Sequence, residues 1–105
     1  MIYINGKYSF GFWEGMPYKT QSDKYEDFVG LKNEIDKETV IRHIESLPEW
    51  LACRMSKDIF TGEIFNAGIY EDGEFVFPID FLRYYKTQDI GIPYEYEAYL
   101  KTILE

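Results

Sequence analysis

Two dipeptides constrain this chain more than anything else in it: Asn5-Gly6 within MIYINGKYSFGF, and Asp72-Gly73 within GIYEDGEFVF. Each lies between short runs in which apolar residues alternate with polar ones. Asn, Asp and Gly tolerate positive φ, which a two-residue turn between antiparallel strands demands. The first dipeptide predicts strands near residues 2–4 and 7–12. The second predicts a hairpin over residues 63–77, with Asp72-Gly73 at its tip. A chain so punctuated must build at least part of its core on a sheet.

The helical signals fall between and after these turns. In DKETVIRHIESL, residues 36–47, Asp36 suits an N-cap and Glu38 suits the positive end of the helix dipole. Val40, Ile41, Ile44 and Leu47 recur at helical spacing, and Pro48 ends the segment. Residues 22–31 predict another helix, capped by Ser22, with Tyr25, Phe28 and Val29 inward and Gly30 closing it. EWLACRM, residues 49–55, reads as a strand, although so short an apolar run also fits a buried helix. Residues 58–62 form a turn. Pro78 opens a helix running through Tyr85, and Pro93 opens a last one striped by Tyr96, Tyr99, Leu100 and Ile103. The expected fold class is α+β: an antiparallel sheet built from hairpins, with three or four helices packed against it, in a single domain spanning residues 1–105. There is no internal repeat or low-complexity linker.

Composition narrows the function classes. Aromatic residues make up 19% of the 105 positions, with ten Tyr and eight Phe, so the chain is too apolar for intrinsic disorder despite a net charge of -8. The charge is concentrated late: residues 61–105 hold nine acids against Arg83, Lys86 and Lys101. Such a pole repels nucleic acids and membrane surfaces and attracts basic partners, though acidity also serves plain solubility. Cys53 is the only cysteine, which excludes an internal disulfide and fits a reducing compartment. No signal peptide and no apolar run of membrane-spanning length is present. The expectation is a soluble, cytoplasmic protein.

No constellation of reactive residues emerges. His43, the only histidine, falls mid-helix beside the apolar stripe and reads as an ordinary helix residue. Arg54 could activate the Cys53 thiol, but strand alternation sends the two to opposite faces, so Cys53 reads as a buried structural residue. One His and one Cys cannot make a structural zinc site, and no loop carries a calcium pattern. Neither phosphate-binding glycine motif occurs. Tyr8, Phe10, Phe12 and Trp13 could stack bases, but the basic groove expected beside them is missing, and core packing explains them better. The chain is therefore expected to be no enzyme, to hold no metal or cofactor, and to act by binding. Residues offering charge and aromatic surface are Glu71, Asp72 and Glu74 around the turn, and Asp80, Tyr84, Asp89 and Glu95 around the two following helices.

From residue 36 onward the order of elements resembles small immunity proteins of bacterial toxin–immunity systems, including those of contact-dependent growth inhibition. The carriers are a DG-x-[FVY]-x-[WF]-P segment (Asp72-Gly73 to Phe77-Pro78), a helix with Tyr84-Tyr85, and Pro93 before a final helix. The resemblance covers about residues 36–104 and leaves the first 35 unmatched. It implies a cytoplasmic inhibitor of a cognate toxin C-terminal domain, commonly a basic nuclease, which an acidic inhibitor would meet quickly by electrostatic steering. The motif positions are fold determinants, so the resemblance carries no binding residues over; the seven named above come from charge and aromaticity. A phage-type anti-defence inhibitor or nucleic-acid mimic shares the acidity and is the alternative, but it requires acids spaced like phosphates, and residues 21–60 mix both signs.

Overall fold

The computed structural model describes every residue except Pro17, Lys19 and Glu105, and the side chains of Ala52 and Cys53 also lie outside the description. The reading of Cys53 as a buried thiol is therefore outside the described residues.

The fold is α+β. Strands β1 (Ile2–Ile4), β2 (Lys7–Ser9), β3 (Glu49–Lys57), β4 (Ile64–Asp72) and β5 (Phe75–Pro78) form one sheet in the order β1-β2-β5-β4-β3. Helices α1 (Lys37–Glu45), α2 (Ile79–Thr87) and α3 (Tyr94–Leu104) complete the fold. The sheet is mostly antiparallel, as expected, but it is mixed. β2 runs parallel to β5, with Tyr8 opposite Phe75 and Ser9 opposite Val76, and the Phe10 N–H donates to the Val76 carbonyl at 3.1 Å. A pairing between residues so far apart in sequence leaves no local trace.

Both turns lie where the dipeptides point, but they differ by one residue in phase. Asn5 (φ 52°) and Gly6 (φ 79°) are both left-handed and join β1 to β2, as a type I′ turn requires. At the second turn only Gly73 (φ 60°) is left-handed, and the last pair of the β4–β5 ladder is Asp72 opposite Phe75. The turn residues are Gly73 and Glu74, the pattern of a type II′ turn, and Asp72 belongs to the strand. Because side chains alternate faces, this single step turns Asp72 away from solvent.

Cross-strand partners share a face, so Tyr3, Tyr8, Phe75 and Asp72 point to one side, and Ile2, Ser9, Val76 and Glu71 to the other. The first side carries the core. Phe10 is fully buried between Phe77 (ring centroids 4.8 Å apart), Phe81 (5.1 Å) and Tyr96 (5.2 Å). Val40 and Ile44 of α1, Phe81, Leu82 and Tyr85 of α2, and Leu100 of α3 close over these rings.

Helix boundaries follow the local chemistry. The Asp36 side chain accepts from the Thr39 N–H and caps α1. Pro78 ends β5 and serves as the N-cap of α2 rather than its first helical residue. Residues 22–31 do not make the expected helix; only a 3-10 turn forms at Tyr25–Phe28. The Ser22 hydroxyl does not cap it: it receives the Phe12 N–H and donates to the adjacent Asp23, tying the segment to Phe12 instead. β2 likewise ends at Ser9, earlier than the expected residue 12.

Candidate functional site

The acids of the C-terminal half divide into two groups with opposite roles. Asp72, Asp80 and Glu97 are buried, with Asp58 beside them in kind, whereas Glu71, Glu74, Asp89 and Glu95 are exposed. A buried carboxylate is stable only when hydrogen-bonded or paired, and each of these is.

Asp72 binds three elements together. Its Oδ2 accepts from His43 Nε2 of α1 and from the Tyr96 hydroxyl of α3, both at 2.7 Å, and its Oδ1 accepts from the Tyr99 hydroxyl at 3.2 Å. Burial, and then the charge of Asp72, push the Tyr96 and Tyr99 phenols upward. Asp80, in the first turn of α2, accepts from the Tyr18 hydroxyl at 2.9 Å. The Tyr18 phenol is raised by burial first and by Asp80 second. Glu97 accepts the Glu34 N–H at 2.6 Å, the Ile35 N–H at 3.0 Å and the Asn33 amide at 3.3 Å. Burial alone would raise its carboxyl, but these bonds and the Lys101 charge outweigh that and hold it below the ordinary value. Asp58 follows the same logic: burial raises it, and Arg83 Nε at 2.6 Å with the Phe60 and Thr61 N–H groups bring it down overall.

Of the seven candidate binding residues, Asp72, Asp80 and Tyr84 are thus interior. Tyr84 is fully buried, and its hydroxyl accepts the Ile59 N–H at 3.0 Å, fixing the loop after β3. These three are corrected from surface groups to fold-holding ones. Glu71, in β4, and Glu74, in the turn, are both exposed. Asp89 lies after α2 and Glu95 in the first turn of α3, both exposed. Tyr85 and Tyr96 are interior as well, while Tyr94 is 58% exposed.

His43 is three-quarters or more withdrawn from solvent and engages Asp72, and it lines none of the principal surface grooves. Among the described residues no cluster of three or more His, Cys, Asp or Glu is arranged to hold a metal ion. No described helix is long and apolar enough to cross a membrane.

The sheet face away from the helices carries a groove of about 350 Å³, walled by Ile2, Ile4, Val76 and Phe12 and edged by Lys7 and Arg54. Glu71 stands on this same face, opposite Val76. A second surface feature escaped the sequence reading. EWLACRM, residues 49–55, predicts an apolar strand; β3 contains it and forms the edge of the sheet with Trp50, Leu51 and Met55 exposed. Its composition was visible, but its place in the strand order was not.

No protein-family model, curated protein or solved structure matches this chain.

Proposed function

We propose that the chain is a cytoplasmic immunity protein that binds a cognate toxin domain, a basic nuclease, and neutralises it by occupying its substrate path. The reading rests on the C-terminal order of motifs and on one observation above others: Glu71, near the end of β4, and Glu74, within the two-residue turn that follows, both stand exposed. Carboxylates at a strand end and its turn suit a phosphate-binding surface, because they meet the same field that draws nucleic acid. The interior acids take no part in binding; they hold the scaffold that presents this pair. The two tight turns are read as the hairpins from which the sheet is assembled. No chemistry is asked of the inhibitor, so the chain works without a cofactor and without catalysis.

The test is a growth assay in which the chain is co-expressed with the C-terminal domain of the protein encoded immediately upstream. Rescue of growth and a co-purified complex support the reading. Absence of both removes it and turns attention to an anti-defence inhibitor.

A further inference from the structure

We propose that the chain self-associates along the free edge of β3, two copies placing their strands side by side and antiparallel about a twofold axis at position 53. β3 ends the sheet with nine residues, whereas the opposite edge, β1, has three. A short edge offers little to pair with; a long one presents a row of backbone donors and acceptors. Trp50, Leu51 and Met55 on this edge are 61%, 59% and 57% exposed, a large apolar fraction for an edge strand.

The sequence of the strand says what covers it. Aligned antiparallel about position 53, Glu49 falls opposite Lys57 of the second copy, Trp50 opposite Ser56, and Leu51 opposite Met55. Each pair occurs twice, as a twofold interface requires. Opposite charges and apolar pairs directly across a ladder both favour pairing. A parallel alignment in register would set Glu49 against Glu49 and Lys57 against Lys57, and a shift of the antiparallel register by one or two residues loses both charge pairs.

The bulge between Leu51 and Met55 does not spoil the phase. Within the chain, Glu49, Leu51, Met55 and Lys57 lie opposite Tyr70, Gly68, Asn66 and Ile64, which alternate along β4 and so share one face. The charge pair and the apolar pair therefore fall on the same side of the joined sheets, with residues 49–51 of each copy laddered to 55–57 of the other. Glu49 and Lys57 are both exposed.

Sedimentation equilibrium of the full chain tests this directly. The expected species has twice the chain mass. Lys57→Glu and Glu49→Lys should each weaken association by roughly tenfold or more, because each reversal sets like charges opposite one another at two places. The double variant E49K/K57E restores opposite charges and should return affinity to within about threefold of the native chain. Glu49 also accepts from the Tyr70 hydroxyl, so Lys57→Glu is the cleaner single change, and circular dichroism melting checks that each variant folds. A chain that stays monomeric at every concentration overturns the proposal. So does a dimer whose affinity ignores all three variants.

Discussion

Replacing Asp72 by Ala should damage the fold and leave any binding surface untouched. The carboxylate accepts three hydrogen bonds from His43, Tyr96 and Tyr99. Its loss orphans donors that differ in their access to water. The Tyr96 ring is fully buried, so its hydroxyl bears the full penalty of an unmade bond, about 1–3 kcal/mol. His43 and Tyr99 are partly exposed and recover some hydration. Relief of the buried carboxylate's own desolvation offsets part of the loss. The sum is about 3 kcal/mol, a large share of the 5–15 kcal/mol that holds a typical domain together. Asp72→Asn should cost only about 1 kcal/mol, since its oxygen still accepts from His43 and Tyr96 while its amide donates to the Tyr99 hydroxyl, which can turn to accept. Urea denaturation followed by tryptophan fluorescence measures both. A cycle with Tyr96→Phe sharpens the argument: that change should cost about 1 kcal/mol in the native chain and nothing beside Asp72→Ala, where it removes an orphaned hydroxyl. An unfolding midpoint for Asp72→Ala equal to the native one would refute the reasoning, and additive effects in the cycle would show that the two groups do not interact.

Three further outcomes are expected. Burial, followed by the charges of Glu49 and Glu97 respectively, pushes the Tyr70 and Tyr85 phenols up to about 12, and Tyr96 is raised further, so all three stabilise the protonated folded chain. Their contribution is complete below the unfolded value of 10.0 and drains as pH climbs from there through 12, by about 1.4 kcal/mol per pH unit for each group; a denaturation midpoint that stays flat above pH 10 would contradict this. Gly11 holds φ 80°, and a Cβ there would lie 2.9 Å from the Phe81 ring, so Gly11→Ala should cost about 2–3 kcal/mol, read as a lowered melting temperature. Reversing both Glu71 and Glu74 to Lys should change stability by less than about 0.5 kcal/mol and slow association with the proposed toxin domain by roughly tenfold; unaltered association kinetics would take this turn out of the proposed interface.

Asp36, Pro78, Pro93, Asn5-Gly6 and Gly73 acted through contacts within a few residues of themselves, and the sequence by itself therefore determined the helices and turns they mark. A cap, a missing N–H and a left-handed φ need no distant partner. The 22–31 segment shows where that logic stops. Ser22 suits a helix cap, but its hydroxyl accepts from the Phe12 N–H across a loop and donates to its neighbour Asp23, and the helix is shortened to one 3-10 turn. The candidate site depended still more on what is far away. Asp72 and Glu71 are neighbours of like charge, yet one residue of register sends the first against His43 and Tyr96 and the second into solvent. Likewise the apolar strand 49–57 lies at an edge because β5 pairs with β2 on one side and β4 on the other. Strand order, the choice of face, and hence which acids are structural and which can meet a partner were decided only by tertiary structure, since long-range pairing distributes burial among residues whose local patterns are the same.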